Sequence, residues 1–146
     1  MSQTLTVASD LEVDQLVFSS DKPWYSVDAP KVLIIEDDRD VHQGWSVFLR
    51  HQGYEVLSAH NGVDGLDAII ANEPDIVLLD LNLPGMHGSK VLHEIRMRRL
   101  PVHVVVVTAS DSPATGARAT QRGASLVMNK PVSPHELVSV IGRILD

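Results

Sequence analysis

The chain has 146 residues, 44% of them apolar, and a formal charge of −7 at pH 7. That length buries one sizeable core and would cramp two, while the acidic balance argues against a nucleic-acid surface, which needs clustered Lys and Arg. The absence of cysteine excludes disulfides, thiolate chemistry and Cys-ligated zinc together.

No basic stretch followed by an apolar run opens the chain, and no segment approaches the roughly 18 apolar residues of a membrane span. A soluble, cytoplasmic protein with no membrane partner is expected. Residues 1–30 carry five acids (Asp10, Glu12, Asp14, Asp21, Asp28) against one base, Lys22, with Pro23 and Pro30 and no sustained period. They read as an acidic amino-terminal arm or linker, in which Trp24 and Tyr25 are the aromatic exception. Residues 31–146 form the domain.

From Lys31 the pattern is regular. Val32 to Ile35 is a buried strand that breaks at Glu36-Asp37-Asp38, and Val41, Trp45, Phe48 and Leu49 then recur at helical spacing until Gly53. Tyr54 to Ala59 is a second strand, and Val63, Leu66, Ile69 and Ile70 mark a helix ending before Pro74. A third strand runs from Asp75 to Asp80 and stops at a Pro84-Gly85 breaker, after which Val91, Leu92 and Ile95 mark a helix. Arg96, Arg98 and Arg99 at its end complement the helix dipole. Val102 to Val107 is a fourth strand, its four consecutive valines suited to a pleated interior. A weakly apolar helix from about Pro113 to Arg122, a short strand from Ser125 to Met128 and a closing helix through Leu145 complete the chain. Ser133-Pro134-His135-Glu136 opens that last helix with a capping box.

Five strands alternating with five helices predict a doubly wound α/β fold, a parallel sheet covered on both faces. The flavodoxin-like order 2-1-3-4-5 is the simplest packing, with its switch point between the first and third strands. Glu36 and Asp37 after strand one would therefore meet Asp80 at the end of strand three. Two unit charges about 4 Å apart repel by roughly 4 kcal/mol at an effective dielectric near 20, so the cluster needs a proton or a cation. An oxygen-only anionic pocket suits Mg²⁺, with Mn²⁺ in its place, better than zinc. Thr108 and Lys130 follow strands four and five and would lean over the same crevice. A hydroxyl and an ammonium beside a carboxylate are the parts needed to hold a phosphoryl group.

With these residues in order, the chain from Lys31 to Asp146 resembles the receiver domains of two-component response regulators. The resemblance rests on Glu36-Asp37, on Asp80 in Asp-Leu-Asn-Leu-Pro-Gly-Met-His-Gly with its Pro84 and Gly88, on Thr108-Ala109 and on Lys130-Pro131. It implies that Asp80 accepts a phosphoryl group from a histidine of a sensor kinase or phosphotransfer protein. The metal would be held by Asp37, Asp80 and the carbonyl of Asn82, and by Glu36 through water. Lys130 would pair with Asp80 and then with the phosphate, Thr108 would bond a phosphate oxygen, and the Lys130-Pro131 bond would be cis. Asn82 and Ser110 occupy positions at which this family tunes hydrolysis of the acyl phosphate. Such a protein accepts a phosphate and slowly loses it; it is not a turnover enzyme.

One position departs from the pattern. The family often has Tyr or Phe three residues before the lysine, where Val127 stands here, and no aromatic lies beyond Tyr54, so an aromatic rotamer switch is ruled out. His42 and His87 are expected near the pocket rim, His42 with Gln43 and Ser46 on a solvated helix face or facing a kinase helix. Nothing follows Asp146, so output is expected through docking to an unidentified protein or through a phosphorylation-linked homodimer. The alternative is a receiver fragment of a longer regulator. A haloacid-dehalogenase-like phosphohydrolase would need an acid two residues after Asp80, where Asn82 stands, and a binding module with a decayed pocket would not keep the complete set.

Overall fold

A computed structural model of the protein describes residues 28–146. The Trp24-Tyr25 pair, and all of the acidic arm before Asp28, lie outside the described residues. Five strands alternate with five helices: β1 (Lys31–Ile35), α1 (Arg39–His51), β2 (Glu55–Ala59), α2 (Gly62–Asn72), β3 (Ile76–Asp80), α3 (Gly88–Met97), β4 (His103–Thr108), α4 (Pro113–Gln121), β5 (Leu126–Asn129) and α5 (Pro134–Leu145). All pairings are parallel and the strand order is 2-1-3-4-5. The expected order and switch point are therefore present, and Lys31, Thr108 and Asn129 extend strands beyond the bounds read from the apolar runs alone.

The strand side chains alternate between two cores, as a pleated sheet requires. Leu33 and Ile35 of β1, with Val77 and Leu79 of β3, face one layer containing Ile69, Leu92, Ile95 and Ala119 from α2, α3 and α4. Val32, Ile34, Ile76 and Leu78 face the other, which holds Trp45 and Leu49 of α1 and Leu137 and Ile141 of α5. All five residues of β3 are buried, which explains why its sequence shows a continuous apolar run rather than alternation.

Helix ends follow local chemistry. The Asp38 carboxylate accepts N–H bonds from Asp40 and Val41 at the start of α1, and Ser133 and Glu136 close the expected capping box, each bond 3.1 Å. Gly53, just past α1, has φ +92°, a conformation that a side chain resists. Of the three arginines, Arg96 lies in the last turn of α3 and Arg98 caps it, whereas Arg99 lies beyond the helix at φ +53°.

Candidate functional site

The carboxyl edge of the sheet gathers the acids from two neighbouring strands. Glu36 follows β1 and is wholly buried, Asp37 beside it is exposed, and Asp80 closes β3 at 5% exposure. One carboxylate oxygen from each lies within 4.8 Å of the others. Asp38, the third acid of the run, is instead engaged in capping α1.

Each buried carboxylate is oriented by the backbone. Glu36 Oε2 accepts the Asp38 N–H at 3.1 Å, and Asp80 Oδ1 accepts the Asn82 N–H at 3.1 Å. Lys130 enters from the loop after β5 and bridges the remaining oxygens, with its Nζ 2.8 Å from Glu36 Oε1 and 3.2 Å from Asp80 Oδ2. The Lys130 N–H donates to the carbonyl of Thr108 at 2.8 Å, which fastens that loop to the end of β4. The Lys130-Pro131 bond is cis.

Burial pushes the Glu36 carboxyl above its ordinary range, opposed by Lys130 and the Asp38 N–H and reinforced by the charge of Asp80. Burial works against the Lys130 ammonium too, but Glu36 and Asp80 outweigh it and hold the amine above its usual value. Three carboxylates thus face one ammonium. The donor set is oxygen only, and the excess negative charge fits a hard divalent cation such as Mg²⁺.

Thr108 is buried, and its Oγ1 accepts the Ser110 N–H at 3.2 Å. Ser110 Oγ lies 3.0 Å from Thr115 Oγ1 in α4, and the Asn129 amide donates to the Ser110 carbonyl. Thr115 and Asn129 were not singled out from the sequence. Hydroxyls and amides at element ends are the only signal they carry, and that signal is common to many turns. Val127, at the position of the family's aromatic, packs half-buried against the first core. A cavity of about 260 Å³ between α3 and α4 is lined by Asn82, His87, Thr108, Ser110 and Arg118 among others.

Gly88 closes the loop after β3. Its N–H donates to the Leu81 carbonyl at 2.9 Å, and a Cβ there would collide with the Asp80 carbonyl and stand 2.6 Å from Leu81 Cα. Pro84 and Ala109 are exposed, in the loops after β3 and β4, as is Pro131 after Lys130. His87 lies at the rim and caps α3, with its Nδ1 accepting from the Ser89 N–H. The expectation for His42 and Ser46 is corrected, because both are buried. They sit beside Trp45 and Leu49 on the inward edge of α1, where the helix lies over β2; Gln43 is exposed as expected.

A five-stranded parallel sheet in this order, with acids, a threonine and a lysine at its carboxyl edge, defines a CheY-like receiver fold of the flavodoxin type. Over residues 32–142 the chain matches the response regulator receiver domain family, and it belongs to that family. Solved structures agree. A CheY-like response regulator receiver domain protein from Methanospirillum hungatei JF-1 is 28% identical, with a TM-score of 0.77 over 82% of this chain and 95% of that one. A DNA-binding response regulator of the LuxR family from Staphylococcus aureus is 30% identical, with a TM-score of 0.76 over 80% and 99%. The chemotaxis response regulator CheY4 of Vibrio cholerae is 27% identical, with a TM-score of 0.75 over 80% and 98%. Among the described residues no helix is long and apolar enough to cross a membrane.

Proposed function

We propose that Asp80 is the phosphoacceptor of a two-component phosphorelay, receiving its phosphoryl group from a phosphohistidine of a sensor kinase or phosphotransfer protein. The observation that carries this reading is the Lys130 bridge between Glu36 and Asp80. It presents one nucleophilic carboxylate beside a fixed cation, at the sheet edge where open α/β folds bind ligands.

In the transfer, an Asp80 oxygen bonds to phosphorus as the P–N bond of the donor breaks, and the departing imidazole retains the electron pair and takes up a proton. The Asn82 N–H orients the Asp80 carboxylate through Oδ1. Lys130, already on Oδ2, balances the negative charge that accumulates on the phosphoryl oxygens. The Thr108 oxygen accepts the Ser110 N–H, which leaves its own O–H to donate to a phosphate oxygen. Asp37, Asp80 and the Asn82 carbonyl would hold Mg²⁺, with Glu36 acting through water, and the ion would supply further neutralisation of the transferred group. Asn82 at the place of a general acid stands against a phosphohydrolase, and the presence of Glu36, Asp37, Asp80, Thr108 and Lys130 together at one sheet edge stands against a decayed pocket. The protein acts as a phosphate-accepting switch and not as a turnover enzyme, with output through docking to another protein.

Intact mass after treatment with acetyl phosphate tests the reading. The expected result is a gain of one phosphoryl group that requires Mg²⁺ and disappears in Asp80→Asn. An unmodified wild-type chain, or an adduct that survives Asp80→Asn, overturns it.

A further inference from the structure

The loop that carries Lys130 leaves a short strand with little enclosure. None of the four residues of β5 is buried, and among the described strands β5 pairs with β4 alone. A backbone rung joins the Lys130 N–H to the Thr108 carbonyl at 2.8 Å. Pro131 follows, and a proline has no N–H with which to continue the ladder. The lysine must nevertheless hold its ammonium 2.8 Å from Glu36 and 3.2 Å from Asp80, at the end of a flexible four-carbon stem.

The Asn129 side chain supplies a second tie. Asn129 lies opposite Thr108 in the ladder, and its amide reaches past the end of β4 to the carbonyl of Ser110. That oxygen can only accept, so the Asn129 Nδ2 is the donor. Ser110 is itself fastened on other sides: its N–H donates to Thr108 Oγ1 at 3.2 Å, and its Oγ lies 3.0 Å from Thr115 Oγ1 and accepts the Ser112 N–H at 3.3 Å. Asn129 thus joins the loop that carries Lys130 to the loop anchored on Thr108. Strand propensity does not account for the residue, since Asn is depleted in strands; what the position uses is the amide donor.

We infer that Asn129 is a positioning residue for phosphoryl transfer: its amide latches the end of β5 to Ser110 and so fixes the Lys130 ammonium on the Glu36 and Asp80 carboxylates before a phosphoryl group arrives. This rests on the reading of Asp80 as the phosphoacceptor. Asn129 acts through Lys130 and not on the phosphoryl group. A charge held in place in advance needs no reorganisation at the moment of reaction, and a counter-ion on an edge strand has that advantage only if something outside the strand holds it.

Asn129→Val removes the donor and raises strand propensity, so a loss in this variant is not a loss of strand. At saturating acetyl phosphate with Mg²⁺, the rate at which Asp80 gains mass should fall about tenfold, short of the hundredfold that a misplacement of 1 Å can cost, with the half-saturating donor concentration little changed. In a Lys130→Ala background the same substitution should change the rate less than about twofold, as expected for residues that act in one network. Without metal or donor, ¹³C relaxation of the Lys130 Cε should show an order parameter that drops in Asn129→Val toward that of a solvent-exposed lysine. A wild-type rate in Asn129→Val, a tenfold loss that persists without Lys130, or an unchanged Lys130 order parameter overturns the inference. An unmodified wild-type chain overturns the Asp80 reading and the catalytic consequence with it, whereas the latch itself stands or falls on the relaxation measurement, which needs no phosphodonor.

Discussion

Lys130 stands nearer to Glu36 than to Asp80, 2.8 Å against 3.2 Å. Its first partner is thus the most deeply buried acid of the site, whose side chain is 1% exposed, rather than the residue proposed to react. The lysine compensates the cost of burying Glu36 while it positions Asp80.

Removing that ammonium should therefore register as lost stability. Breaking a buried ion pair costs about 3 to 5 kcal/mol. The lysine side chain is 22% exposed, so solvent screening lowers the expected loss for Lys130→Ala to about 2 kcal/mol. Urea unfolding in a chelator at pH 7 measures it, and adding Glu36→Gln should restore much of the difference. An unchanged midpoint in Lys130→Ala would show that the pair contributes nothing net.

Metal should stabilise the fold through the same acids. Mg²⁺ at ten times its dissociation constant should add about 1.4 kcal/mol to unfolding stability by mass action. Asp37→Asn and Asp80→Asn should abolish most of that gain. Without metal, Asp80→Asn should match or exceed the wild type, since it removes one carboxylate and leaves the Lys130–Glu36 pair. Thermal melts with and without Mg²⁺ test both statements, and equal metal stabilisation of all three chains would place the cation elsewhere.

Two glycines offer a paired steric test. Gly88→Ala forces a methyl group onto the Asp80 carbonyl and Leu81 Cα, so a loss of about 2 kcal/mol or more is expected, with a displaced Asp80. At Gly44, in α1, an added Cβ meets nothing within 4 Å. Gly44→Ala should stabilise by about 0.5 to 1 kcal/mol through helix propensity. Chemical denaturation of the two variants should move their midpoints in opposite directions.

His42 sets a pH dependence whose sign is fixed by its burial. Its folded-state value, about 4, lies below the ordinary 6.5, so between those limits the unfolded chain binds a proton that the folded chain refuses. Its contribution is fully present above about pH 6.5 and is lost as the pH falls toward 4, by at most about 3 kcal/mol. His42→Gln should flatten the acid limb of unfolding stability over that window. An identical slope in the variant would assign the acid sensitivity to other groups.

Much of this was legible in the sequence because parallel strands buried on both faces show as apolar runs, and each run here ends at a chemically distinctive residue. The valine run preceding Thr108 and the Ile76–Leu79 run preceding Asp80 identify both the strand and the edge it presents. The burial of His42 and Ser46 was not legible. They neighbour exposed Gln43 and Val47 on a helix whose apolar stripe is carried by Trp45 and Leu49, and only the packing of α1 beside β2 decides which polar neighbours are covered. The complete burial of Glu36 was hidden for a similar reason. Its cost is offset by Lys130, more than ninety positions away, and by the Asp38 N–H, partners that no periodicity reveals.

The strand that delivers Lys130 is the least enclosed of the five. β5 has four residues, all exposed or half-buried, and among the described strands it pairs with β4 alone, at the margin of the sheet. The candidate site thus combines two buried acids, Glu36 and Asp80, with a counter-ion carried on the exposed rim of the sheet. Amide protons of β5 should exchange with solvent before those of β1 and β3. A binding partner that clamps this rim could tune the chemistry of the acids without touching either of them.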